Sequence, residues 1–305
     1  MSLLSISKIV TAMLLWAACF PLLVIGIELA PHLSFATLRA VIAGLVLVGL
    51  ACALRRPFPR GASVWAILSI MGVGATSLGY LGMFHAAEFV SPGIATVIAN
   101  TQPLLAAGLG GLVLGERLQP SGKAGLFIGF LGIVVIAAPQ LFSSGQDNYL
   151  LGIAYIVLAA LGITVSNVMI KKIAGQVDLL MALGMQFLIG SVPLAIIAGM
   201  TEDLGAIQWT STFIAVLLAL SVFGSALVYV IWMSALTVVP LNKANAFSFL
   251  VPIFGLTMGV LFYGETLGVS KIIGISLAII GVLLVTRKGS VREADANLSQ
   301  STSQT

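Results

Sequence analysis

Ten apolar stretches, each long enough to span the hydrocarbon of a bilayer, occupy nearly the whole of this 305-residue chain. Their approximate bounds are Lys8–Ile27, Leu33–Ala53, Ala62–Phe84, Val90–Val113, Ser121–Ala138, Tyr149–Lys171, Asp178–Gly199, Trp209–Trp232, Leu241–Phe262 and Gly268–Thr286. A helix needs about 20 apolar residues to cross ~30 Å of hydrocarbon, and each stretch is near that length. Hydrophobic residues make up 59% of the chain and charged ones 8%, a balance that soluble domains of this size do not have. In lipid the backbone must satisfy its own hydrogen bonds, which makes each span a helix, and the missing period-2 alternation excludes a β-barrel. The expected fold is an all-α integral membrane protein with ten transmembrane helices. Lys8 ahead of the first apolar run has the look of a signal peptide. Nine further spans on short links follow, so the run is read as the first helix, kept in the mature protein.

Charge sets the expected orientation. With the N-terminus inside, Lys8, Arg55, Arg56, Arg60, Arg117, Lys123, Lys171, Lys172, Lys243, Arg287, Lys288 and Arg292 all face the cytoplasm, and only Arg39 and Lys271 fall outside. Glu28, Glu88, Asp147, Glu202, Asp203 and Glu265 fall on the outer side. Both termini are therefore expected in the cytoplasm, across a bacterial-type inner membrane. The net charge of +4 is a topological signal, and no nucleic-acid partner is expected. Cys19 and Cys52 both lie inside spans, too few for a metal-ligand set or a disulfide framework, so no metal or cofactor is expected. Residues 287–305 turn abruptly polar and are expected to be a disordered cytoplasmic tail.

The two halves repeat at a spacing of 149 residues. Tyr80 pairs with Tyr229, Ala86 with Ala235, Pro103 with Pro252, Gly115-Glu116 with Gly264-Glu265, Gly125 with Gly274, and Gly132 with Gly281. The expected units are a first five-helix repeat over 8–138 and a second over 149–286. Five is odd, so the halves cross the membrane in opposite senses, the inverted-repeat plan of many secondary transporters. Nothing in that plan requires a partner chain, and a monomer suffices.

Each half carries PxxxxxxGxxxxGE, from Pro103 and from Pro252, followed by a Gly-rich last helix. In this the chain resembles the drug/metabolite transporter superfamily, in particular its ten-helix EamA-type branch and the YddG-type amino-acid exporters. The resemblance covers residues 8 to about 287. It implies outward movement of small polar metabolites, commonly amino acids, by alternating access. Where many members have a Trp-Gly-x-Asn-Phe-like run, this chain has Trp16-Ala17-Ala18-Cys19-Phe20.

Polar groups inside a membrane are costly and usually face a cavity or a partner. Thr96, Asn100 and Pro103 fall on one helix face, as do their repeat counterparts Asn245, Phe249 and Pro252. Thr96, Asn100, Asn245 and Phe249 are candidates to line a substrate path. Pro103 and Pro252 either kink helices where the halves rock or bend them to fit their neighbours. Tyr80 with Phe84, and Tyr229 with Trp232, form aromatic stripes expected to line a cavity for an amphipathic small molecule. Asn167 and Gln186 read as interhelical glue. His85, closing its span, is either an interfacial side chain or a gate or proton relay. Arg39 either attracts a substrate carboxylate near the outer mouth or, the preferred reading, snorkels or pairs with Glu28 or Glu88. Lys243 either enforces orientation or meets anionic groups entering from inside. Glu116 and Glu265, following Gly at helix ends, read as caps and loop-ordering groups.

No Asp or Glu lies in the middle of a span, which disfavours carboxylate-based proton coupling and cationic substrates. A facilitator, or coupling through His85 or Tyr, fits better. The cavity that remains is neutral and aromatic, suited to neutral or aromatic amino acids. An intramembrane enzyme lacks its constellation: the chain has two histidines, both at span ends. Export of other small organic or drug-like solutes, and a non-transporting scaffold or sensor, are the competing readings.

Overall fold

Few charges and long apolar runs give long helices. The computed structural model of the protein describes residues 1–85, 89, 99–116, 118–141, 149–263 and 268–286. Its helices are α1 (Leu3–Leu29), α2 (His32–Ala53), α3 (Ala62–His85), α4 (Gln102–Leu114), α5 (Pro120–Leu141) and α6 (Tyr149–Lys172). They continue with α7 (Leu179–Thr201), α8 (Ser211–Leu236), α9 (Leu241–Ala246), α10 (Leu250–Tyr263) and α11 (Val269–Thr286). Among the described residues, seven of these are long and apolar enough to cross a membrane: α1, α2, α3, α6, α7, α8 and α11. The bundle has an end where the chain begins, here the proximal end, and an opposite, distal end.

Several boundaries differ from expectation, each for a local reason. Helix α1 starts at Leu3 rather than Lys8, because the Ser2 side chain accepts the Ser5 N–H and caps the helix early. The fourth stretch is described only from residue 99. There Asn100 and Thr101 form a turn, and α4 begins at Gln102 with Pro103 in its first turn. The ninth stretch breaks too: α9 passes through a 3₁₀ turn, Phe247–Phe249, before α10 starts at Leu250. Pro103 and Pro252 therefore sit in the first turns of α4 and α10, just after these changes in helical geometry. Asn245, Phe249 and Pro252 accordingly do not share one α-helical face. Thr96, Glu88, Glu265 and the tail after Thr286 lie outside the described residues.

Inside α3 and α8 the helix widens into π turns, at Gly72–Leu78 and Val222–Leu227. Such turns leave carbonyls without their usual partners and are frequent at functional sites.

Lipid tails give helices no hydrophobic reason to associate, so close packing falls to small residues. In the antiparallel α5–α11 pair, a Cβ on Gly281 would lie 2.6 Å from the Gly125 carbonyl oxygen, and one on Gly132 would lie 2.6 Å from that of Gly274. Gly44 and Gly184 bring α2 and α7 together, Gly72 lies against the α7 backbone, and Gly74 meets Gly162 of α6. Both ends of the α2–α7 pair are also clamped. Glu202, just past α7, accepts the Leu33 and Ser34 N–H groups at 2.8 and 2.7 Å, a carboxylate on the positive end of α2. Asp178 caps α7 and lies 3.6 Å from Arg56 beyond the end of α2.

Gly281→Ala is expected to cost about 1–3 kcal/mol by overpacking two backbones. Gly49→Ala, with nothing within 4 Å of the new methyl, is expected to be neutral or to gain up to about 1 kcal/mol of helix propensity. Thermal unfolding of both variants in detergent measures the difference, and matching melting temperatures would refute glycine-mediated contact between α5 and α11.

Candidate functional site

Midway along α1, Trp16 packs against α8, its ring 5.8 Å from that of Tyr229 and 5.6 Å from that of Trp232. Phe187 of α7 meets Tyr229 edge-on at 5.0 Å. The Trp232 indole N–H donates to Asn167 Oδ1 of α6 at 3.2 Å. These residues form an aromatic layer across the bundle interior, fed by four helices.

Beside this layer sits Arg39, the eighth residue of α2 and so about 10 Å along the helix axis. It is 6% exposed. Its Nε donates to Ser225 Oγ and its Nη2 to the Gly224 carbonyl, both at 2.8 Å. Tyr80 completes the cluster, its hydroxyl 3.0 Å from Ser225 Oγ and its ring centroid 5.4 Å from the guanidinium carbon. Gly224 and Ser225 belong to the π turn of α8, which supplies the carbonyl. A side chain at 224 would not fit: its Cβ would stand 2.5 Å from Cys19 Sγ and 3.3 Å from Arg39 Nη2.

Arg39 thus neither snorkels nor pairs with Glu28, and Glu88 is outside the described residues. Its head turns inward because α8 offers two acceptors at the same depth. Among the described residues no carboxylate pairs with it, and two of its five N–H bonds are engaged. An arginine costs roughly 2.5–3.5 kcal/mol at the centre of a membrane helix and less toward its end, so a head group turned inward rather than to the interface calls for a reason.

A second polar group closes the distal end. His32 Nδ1 lies 3.3 Å from Glu202 Oε1, and His32 Nε2 lies 3.2 Å from Nδ1 of His85, the last residue of α3. The two imidazoles stack, and His85 meets the rings of Tyr155 and Phe89 edge-on. The contacts form a chain rather than a convergent set of metal ligands. Nearby, Ile27, Glu28, Pro31, His32 and Phe84 line a cavity of about 440 Å³.

At the proximal end Lys171 donates to Glu116 Oε1 at 2.8 Å and to the Val239 carbonyl at 2.6 Å. The other Glu116 oxygen accepts the Asn242 N–H at 3.3 Å. Glu116, expected to act as a cap and loop-ordering group, reaches the first turn of α9 and the Lys171 ammonium. A cavity of about 630 Å³ opens at this end between Met1, Ser5, Lys8, Ser234, Pro240 and Lys243.

The remaining expected residues sit in different surroundings. Asn245 is buried and donates to the Leu241 carbonyl of its own helix. Phe249 is 0% exposed and packs on Gly129 of α5. Asn100 is buried in the turn before α4. Gln186 faces Ser166 at 3.5 Å, while Gln186 Nε2, Asn167 Nδ2 and Thr76 Oγ1 are buried with no hydrogen-bond partner among the described residues. Reading the sequence gave no role to Trp16, Phe187, Glu202 or Lys171. For Trp16 the signal was present, a tryptophan at the centre of the first apolar run.

The EamA-like transporter family matches residues 3–138 and again residues 150–287. The chain belongs to that family. Its activity is accordingly transport of small molecules across a lipid bilayer as a multi-pass membrane protein. Among its relatives is a WAT1-related chloroplastic protein of Arabidopsis thaliana, 31% identical over 258 residues, covering 82% of this chain and 61% of that protein. The transporter YvbV of Bacillus subtilis is 29% identical over 283 residues, covering 93% and 92%. A probable amino-acid metabolite efflux pump of Salmonella typhimurium is 26% identical over 282 residues, covering 88% and 90%. A protein crystal structure superposes with a TM-score of 0.78 at 20% identity, covering 92% of this chain and 96% of the other, and shows the shared fold.

Glu116→Gln and Lys171→Met are each expected to lower the thermal stability of the transporter in detergent. The double variant should recover part of the loss, with a coupling of about 1–3 kcal/mol. Additive losses would mean that the pair does not couple.

Proposed function

We propose that this transporter exports small amino-acid-like metabolites, neutral or aromatic, by alternating access across a bacterial cytoplasmic membrane. The observation that carries the reading is a cleft at each end of α1 among the described residues, with the aromatic layer around Trp16 between them. Clefts on opposite ends of a bundle, separated by a packed layer, suit a carrier that opens to one side at a time. The lining suits an amphipathic solute: Tyr80, Tyr229, Trp232 and Trp16 offer ring surface with one polar atom each. The amide nitrogens of Asn167 and Gln186, without a partner among the described residues, add donor capacity on the adjoining helices. Among the relatives, the Salmonella protein is named for amino-acid metabolites.

In this reading the chain is ten membrane-crossing helices in two inverted five-helix repeats, 8–138 and 149–286, with both termini and the proximal end in the cytoplasm. Three features support the repeat. The family matches each half separately. The π turns of α3 and α8 and the helix breaks ahead of Pro103 and Pro252 recur near the 149-residue spacing. The Gly125–Gly281 contact becomes the Gly274–Gly132 contact when each residue is exchanged for its counterpart, as a two-fold axis requires. Tyr80, Phe84, Tyr229 and Trp232 are assigned to the path. His85 and Lys243 are assigned to its distal and proximal mouths, and Asn100, Asn245, Pro103 and Pro252 to the broken helices beside it.

Counterflow tests the reading. Proteoliposomes loaded with unlabelled leucine or phenylalanine should take up the labelled form faster than empty ones, with no pH gradient. Trp16→Ala, which removes the ring that Tyr229 and Trp232 both touch, should slow uptake by about tenfold or more. Uptake that requires a pH gradient would overturn uncoupled carriage. Failure to take up any amino acid would sink the substrate class.

A further inference from the structure

We infer that Arg39, held by Ser225 and Tyr80, is the receptor for a carboxylate on the transported molecule. The inference deepens the amino-acid reading above and rests on it for the substrate's remaining groups.

The guanidinium is buried within the bundle, away from both mouths, and the described residues give it no carboxylate. A neutral hydroxyl and one carbonyl compensate its charge only in part. Arginine stays charged at any physiological pH, so the site cannot relieve that imbalance by losing a proton. Its Nε and one Nη2 hydrogen are committed to α8, and that commitment fixes the plane of the fork. The Nη1 edge and the second Nη2 hydrogen remain for an incoming anion. Two parallel N–H bonds from a planar fork to one carboxylate are the strongest pairing such a group can make.

The surroundings fit the same ligand. The Tyr80 ring lies against the guanidinium and excludes lipid from one side, while its hydroxyl shares Ser225 with Nε. The absent side chain at Gly224 lets α8 bring its carbonyl up to Nη2, with Cys19 Sγ packed where a Cβ would stand. Tyr229, one helical turn beyond Ser225, leads from the cation to the aromatic layer. A carboxylate at Arg39 would thus place the rest of a small amphipathic molecule among rings. The cation also joins α2 and α3 to α8, so an arriving carboxylate competes with Ser225 for the group that ties these helices together.

A purely structural staple between α2 and α8 is the competing account, and ligand chemistry separates the two. Full-length transporter, purified in detergent, is to be titrated with leucine, leucinamide, isovalerate and sodium chloride while thermal stability is followed. Counterflow of labelled leucine is then competed with the same compounds. The expected result is that leucine binds about 30-fold more tightly than leucinamide, the worth of one charged hydrogen-bonded pair. Isovalerate, which keeps the carboxylate and lacks the amine, should stabilise the protein, and Arg39→Gln should abolish the preference for leucine over its amide. Should Arg39→Gln not yield a monodisperse protein, Arg39→Lys decides. It keeps the charge but not the fork, and should narrow the preference.

Equal binding of leucine and leucinamide by the wild type would overturn the inference. So would equal loss of both in Arg39→Gln, an unchanged preference in Arg39→Lys, or stabilisation by chloride as large as by the carboxylates. Arg39-dependent stabilisation by isovalerate without counterflow of any amino acid would retain the carboxylate site and sink the amino-acid reading. Leucine counterflow that leucinamide competes equally well would do the reverse.

Discussion

Backbone-to-backbone contact at glycine is the constraint on which this bundle depends. In lipid, burying a leucine between two helices gains little over leaving it in contact with acyl chains, so association rests on packing and on a few hydrogen bonds. Gly125 with Gly281, Gly132 with Gly274, Gly44 with Gly184 and Gly74 with Gly162 bring helices to distances that no side chain would allow. Those approaches fix where α2, α3, α6 and α7 stand. They thereby fix the depth at which Arg39 meets α8 and the plane in which Phe187 meets Tyr229. Many large apolar side chains meanwhile point outward: Leu112, Leu150 and Met200 are among the most exposed of the described residues. That inversion is the expected arrangement where the solvent is hydrocarbon.

Polar contacts are rare, and they concentrate where the two parts of the chain meet. Glu202 on the α2 terminus, Arg39 on Ser225, and Glu116 on Lys171 and Asn242 each join a residue before 139 to one after 148. They stand at the distal end, in the interior and at the proximal end respectively. Unlike dispersion across a glycine seam, a hydrogen bond of this kind has a definite geometry and fixes one side chain against one partner.

Much of the fold was legible because hydropathy and charge act locally. Helices α2, α3, α6, α7 and α11 begin and end within a few residues of where apolar content predicts, since the boundary is the point at which charge or a cap appears. The helix breaks at Asn100-Thr101 and Phe247–Phe249 were not legible. Neither carries glycine, and the prolines that mark them lie downstream, where they resemble kinks. Arg39 was misjudged for a different reason. Measured along its own helix it is close enough to the end to snorkel, and only the α8 π turn, more than 180 residues away in sequence, supplies the acceptors that turn it inward. The Glu116 contact with Asn242 spans 126 residues and left no trace in local pattern. Tyr80 and Tyr229 stand out in the sequence because the 149-residue spacing pairs them, and both are buried in the bundle. Trp16 escaped because a departure from a family pattern drew attention to the missing asparagine rather than to the ring that remained.

The glycine seams have one more consequence. They fasten α3 to α6 and α7, α2 to α7, and α5 to α11, and every one of these seams crosses between the two sequence-related parts of the chain. Helix α1, by contrast, meets α8 through side chains, Trp16 against Tyr229 and Trp232 and Cys19 against Gly224, and carries an internal proline, Pro21. Backbones in direct contact move together, whereas faces joined by side chains can slide. The stiff blocks of this molecule are therefore mixed assemblies drawn from both parts. The boundary between the two family-matching segments and the boundaries set by backbone contact thus divide the same polypeptide along different lines.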